Sequence, residues 1–149
     1  MEKIKLHPDF KDFLRLMNLY EVRYLLVGGY AVAYHGYPRS TGDMDIWIAR
    51  DETNSSRLSK AIQKFGISSE MAQKDLFMQE NKVFRMGHPP VRLEIITSAS
   101  GVDFEECYKD RETYESEGVS IQIISLNHLR KNKKASGRHK DLEDLQNLP

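Results

Sequence analysis

Residues 24–48 read YLLVGGYAVAYHGYPRSTGDMDIWI, and the fold is decided here. The apolar run from Tyr24 to Val27 is short enough for a buried strand; Gly28 and Gly29 end it, and residues 30–35 form a small-residue helical segment. A turn through Gly36, Pro38 and Gly42 leads into a second strand. Alternation there puts Met44, Ile46 and Ile48 on one face and Asp43 and Asp45 on the other. Two carboxylates two residues apart on a strand, backed by buried neighbours, make a hard-oxygen site suited to Mg²⁺. Glycines that bare backbone N–H groups at a helix start make an anion site. A metal site and a phosphate site on adjoining elements are what nucleotidyl or phosphoryl transfer requires.

Working outward from this stretch, residues 8–17 have helical spacing, with Pro8 in the first turn and Phe10, Phe13, Leu14 and Met17 on one side. Residues 51–55 can cap a further helix that carries Leu58, Ile62 and Phe65 and ends at Gly66. Residues 71–79 suit a short helix or a turn near the surface. Residues 82–86 and 91–96 form two strands joined through Gly87, His88, Pro89 and Pro90. On the second, Arg92, Glu94 and Ile96 share a face, so Glu94 is an acid in a run that otherwise looks buried.

Residues 103–117 carry seven acids against Lys109 and Arg111 and suit a solvated helix and loop. Residues 119–124 alternate as a strand. The tail from Leu126 is helical with a break at Gly137, and Leu142, Leu145 and Leu148 can pack it onto the rest. The order of elements predicts a single α/β (α+β) domain spanning residues 1–149, a mixed central sheet flanked by helices.

Composition narrows the function. With 149 residues the chain can build one real core, and its 22 basic residues balance 22 acidic ones. A global basic field for nucleic acid is therefore missing. Cys107 is the only cysteine, which excludes an intramolecular disulfide and suits a reducing cytoplasm. No apolar run approaches a membrane span and the N-terminus has no signal-peptide pattern, so the expected location is cytoplasmic. His35, His88, His128 and His139 lack the spacing of a zinc site.

Gly28-Gly29, thirteen residues, then Asp43-Met44-Asp45 resembles the signature of the nucleotidyltransferase fold, the DNA polymerase beta superfamily. The longer string GGYAVAYHGYPRSTGDMDIWI and the tail KKASGRHKDLEDLQNL resemble one branch, the AbiEii-like and minimal nucleotidyltransferases of bacterial toxin–antitoxin systems. Many active members carry Gly-Ser where this chain has Gly28-Gly29 followed by Tyr30, and the AbiEii proteins usually have a larger helical C-terminal domain.

The resemblance implies Asp43, Asp45 and Glu94 as catalytic carboxylates and ligands of Mg²⁺, with Mn²⁺ as a substitute. It implies nucleoside triphosphate binding by Gly28, Gly29, Tyr30, Arg39 and Thr41, with Lys133 and Arg138 on the triphosphate. The implied reaction moves a nucleoside monophosphate to a protein or RNA acceptor, with a cognate toxin or antitoxin as partner.

Several residues have a second reading. Glu94 also suits an edge-strand charge or the partner of Arg92 or Arg85. Arg39 suits either Asp43 or Asp45, or a phosphate. Trp47 suits packing beneath a helix or stacking a base. At the level of the whole chain, the alternatives are a catalytically inactive interaction module with the same fold and a nucleic-acid binder working through its basic tail.

Overall fold

The computed structural model describes residues 4–39, 42–67, 73–88 and 91–149. Helix α1 (Pro8–Leu19) starts where Pro8 occupies the first turn and His7 Nδ1 accepts from the Asp9 N–H at 3.1 Å. Phe10, Phe13, Leu14 and Met17 are its buried face, at the expected spacing. Strand β1 (Tyr24–Val27) is buried throughout and runs directly into α2 (Gly28–Tyr34). The two glycines end the strand and form the first turn of the helix, which begins two residues earlier than the expected 30–35, and Gly28 makes the corner with φ +65°. Strand β2 (Asp43–Ile48) follows, then α3 (Glu52–Phe65), capped by Asp51 Oδ1 on the Asn54 N–H (2.7 Å) and ended by left-handed Gly66. A 3₁₀ turn (Lys74–Met78) buries Phe77 completely.

Strands β3 (Val83–His88) and β4 (Val91–Ile96) form the expected antiparallel pair. The acidic stretch differs from expectation: it holds α4 (Phe104–Lys109) and then a strand, β5 (Glu112–Ser116), paired with β6 (Val119–Ile123). The reason is a two-residue turn. Glu117 and Gly118 both have positive φ (50° and 82°), which is the backbone a tight hairpin demands. Two helices close the chain, α5 (Leu126–Ser136) and α6 (His139–Asn147), separated at left-handed Gly137 as the sequence predicts.

The six strands form one mixed sheet in the order β3-β4-β2-β1-β6-β5. This is a single α/β domain. The apolar face of β2 (Met44, Ile46, Ile48) joins Leu93 and Ile95 of β4 and the buried sides of α1 and α3 in one core. No helix among the described residues is long and apolar enough to cross a membrane.

The leucine stripe of the tail does not pack as expected. Leu148 is buried, but Leu142 is 43% exposed, and the positions that α6 turns inward are Asp141 and Asp144, each 1% exposed. Paired cations, together with the buried Leu148, hold this end of the chain.

Candidate active site

The sheet register assembles the carboxylates. β2 and β4 run parallel, with Asp45 opposite Glu94 and Asp43 opposite Arg92. Asp43, Asp45 and Glu94 therefore share one face, and all three line a cleft of about 630 Å³. Asp45 is the deepest of them. Its Oδ1 is sealed from solvent and has no hydrogen-bond partner. Burial first, then the neighbouring Glu94 and Asp43 carboxylates, push its pKa up to about 7.

Guanidinium groups hold the other two acids. Arg92 donates to both oxygens of Asp43, from Nε at 3.0 Å and Nη2 at 2.8 Å. Its Nη2 also lies 3.4 Å from Glu94 Oε1, which accepts from Arg85 Nε at 2.9 Å. Both ion-pair partners suggested for Glu94 by the sequence are thus real. Asp43's partner Arg92 was not foreseen; the signal was strand register, which needs the tertiary pairing.

As the side chains stand, no group of three His, Cys, Asp or Glu among the described residues could hold a metal ion. The donor chemistry nevertheless fits a hard divalent cation. Three carboxylates lie on adjacent strands in register, and a sealed carboxylate oxygen lacks any partner. The residues that would hold such an ion are Asp43, Asp45 and Glu94, two of which now face guanidinium groups.

Gly28 and Gly29 line the same cleft. Gly28 is sterically forced: an added Cβ would overlap Asp45 Oδ2, and its φ lies in the left-handed region. Tyr30 does not join them; it is not among the cleft-lining residues, and its ring packs edge-on against Phe10 at 5.7 Å. Thr41 lies outside the described residues. Trp47 is 3% exposed and packs edge-to-face on Phe104 (5.1 Å), so packing beneath a helix is its role.

The cations at the far wall divide into two kinds. Lys133 is 5% exposed, with Nζ 3.0 Å from Asp141 Oδ1 and 3.1 Å from Asp144 Oδ2. Arg39 grips Asp144, Nε to Oδ1 at 2.7 Å and Nη2 to Oδ2 at 2.9 Å. The Arg138 side chain is 79% exposed; its Nε donates to Asp141 Oδ2 at 2.8 Å while the residue lines the cleft. Burial opposes the charge on Asp141, yet Arg138, Ser136 and Lys133 outweigh it and hold its pKa far below the usual carboxylate range. Asp144 is lowered the same way, burial being overcome by Arg39 and Lys133. Asp141 and Asp144 were not singled out as site residues from sequence; acids at i and i+3 beside Lys133 and Arg138 were the available signal.

No protein-family profile matches this chain, and no curated protein matches it. Solved structures do. A candidate nucleotidyltransferase from Thermotoga maritima superposes with a TM-score of 0.64 at 15% identity, covering 95% of this chain and 93% of that one. An antigenic nucleotidyltransferase-like protein from Paracoccidioides brasiliensis gives 0.52 at 18% identity, covering 95% and 76%. At such identities the likeness establishes the fold, which is the nucleotidyltransferase fold.

Proposed function

We propose that this protein is a Mg²⁺-dependent nucleotidyltransferase that moves a nucleoside monophosphate from a nucleoside triphosphate to a protein or RNA acceptor, as one component of a toxin–antitoxin pair. The observation that carries the reading is the convergence of Asp43, Asp45 and Glu94 on one cleft wall beside Gly28, with a sealed, partnerless oxygen on Asp45.

The chain's own groups take the following parts. Backbone N–H groups at the start of α2, beside Gly28 and Gly29, receive phosphate oxygens. The open nitrogens of Arg138 approach the triphosphate from the opposite wall. The acceptor's hydroxyl oxygen bonds to the α-phosphorus and the bond to pyrophosphate breaks. The hydroxyl proton passes to the Glu94 carboxylate, which faces Asp45 across the β2–β4 register. Mg²⁺, or Mn²⁺ in its place, held by Asp43, Asp45 and Glu94, supplies the Lewis acidity that activates the hydroxyl and neutralises the leaving oxygens.

A second reading, an inactive interaction module of the same fold, is favoured by one observation: Asp43 and Glu94 are already neutralised by Arg92 and Arg85. Incubation with each nucleoside triphosphate labelled at the α-phosphate, Mg²⁺ or Mn²⁺ and host lysate separates the two. Label on RNA or protein that disappears with Asp43→Asn supports transfer. Its absence with all four nucleotides, from protein shown to be folded, supports the module.

A further inference from the structure

Arg92 stands in an ion-pair arrangement for which the chemistry above has no use. It faces Asp43 directly in the β2–β4 register and gives Asp43 both arms of its fork, at 3.0 and 2.8 Å. The same Nη2 reaches to 3.4 Å from Glu94 Oε1. One planar cation thus bridges two of the three carboxylates that would hold a divalent ion. A guanidinium and a hard cation seek the same oxygens, and Asp43 cannot serve a bidentate fork and an ion with both oxygens at once.

Asp45, the third member, keeps an oxygen with no hydrogen-bond partner. The Arg92 side chain is 30% exposed, so it can leave without dismantling the core. Its fork matches phosphate as well as it matches carboxylate.

Resting on the metal site of the proposed function, we propose that Arg92 is a displaceable counter-ion. It competes with the divalent cation for Asp43 and Glu94, and on the cation's entry it transfers to the phosphates of the incoming nucleotide. Arg92 is then a positioning residue before loading and a phosphate ligand after it. The cation and the nucleotide consequently assist one another, because each removes an obstacle to the other's binding.

The test is calorimetric, on the full chain, with two probes: Mn²⁺ alone, and tripolyphosphate at saturating Mn²⁺, which is independent of any base preference. The proposal gives opposite signs for Arg92→Gln. Mn²⁺ alone binds on the order of tenfold tighter than to the parent, and manganese tripolyphosphate on the order of tenfold weaker, as expected when the net contribution of the guanidinium's charge-assisted contacts is removed from each side. Arg92→Lys, which keeps the charge without the fork, falls between the two and decides the matter should Arg92→Gln fail to fold. If both variants bind the two probes as the parent does, or weaken both, the proposal is overturned. Asp45→Asn distinguishes that failure from a deeper one. Loss of Mn²⁺ binding in Asp45→Asn leaves the metal site standing and removes Arg92 alone; unchanged Mn²⁺ binding places the ion elsewhere and removes both.

Discussion

Replacing Asp45 with Asn tests the electrostatics of the site without any substrate. In the folded protein the Asp45 carboxyl titrates at about 7 against an ordinary 3.8, first because it is buried and then because Glu94 and Asp43 lie beside it. In the unfolded chain it loses its proton near the ordinary value, so between these two points the folded state binds more protons. Stability therefore falls as pH rises from about 4 to about 7, and the loss is complete above that range. The gap corresponds to a penalty of about 4 kcal/mol on the charged form at alkaline pH.

Asn keeps the shape and removes the charge. In the presence of chelator, Asp45→Asn is expected to melt on the order of 10 °C above the parent at pH 8, given about 2–4 °C per kcal/mol for a chain of this size. At pH 4 the advantage should nearly vanish, because the folded parent is then protonated and the unfolded chain is only near the midpoint of its own titration. The assay is a melting-temperature series from pH 4 to 8.5 on the two proteins, in which titrating groups remote from Asp45 cancel. A variant no more stable than the parent at pH 8, or one whose gain is the same at every pH, would refute the reasoning. The same variant is expected to lose any rise in melting temperature that Mg²⁺ plus nucleoside triphosphate gives the parent.

The remaining expectations concern the tail and the glycine corner. Lys133→Ala strands Asp141 and Asp144 in a buried position with too little positive charge, and should lower stability by about 3–5 kcal/mol in urea denaturation. Arg138→Ala instead removes a largely exposed cation, so it should weaken nucleoside triphosphate binding by about 1–3 kcal/mol in calorimetry with a much smaller effect on folding. Equal effects of the two substitutions on nucleotide affinity at unchanged stability would contradict this division. Gly28→Ala combines a strained left-handed backbone, about 1–3 kcal/mol, with a collision against Asp45. It should both lower the melting temperature and abolish the metal–nucleotide shift, and retention of that shift would return Gly28 to being a plain corner.

The sequence by itself determined the elements that depend on neighbours along the chain. Phe10, Phe13, Leu14 and Met17 mark α1 because helical spacing is local. Gly66 and Gly137 mark helix ends because only a left-handed backbone closes them. Period-two alternation put Asp43 and Asp45 on one face of β2 and Glu94 beside Arg92 on β4. Where alternation was weak, in the acidic stretch that became β5, the turn at Glu117 and Gly118 carried the information and was missed.

Only the tertiary structure decided which charges meet. The β2–β4 register set Arg92 against Asp43, and a slip of one residue would have turned the pair to opposite faces of the sheet. The packing of α6 was likewise undecidable from spacing. Apolar residues and acids both recur along it, and what permits burial of Asp141 and Asp144 is Arg39, from a distant part of the chain, together with the neighbouring Lys133 and Arg138. A buried carboxylate is stable only with such partners in place, and proximity between residues 39 and 144 is a property of the folded chain, not of its order.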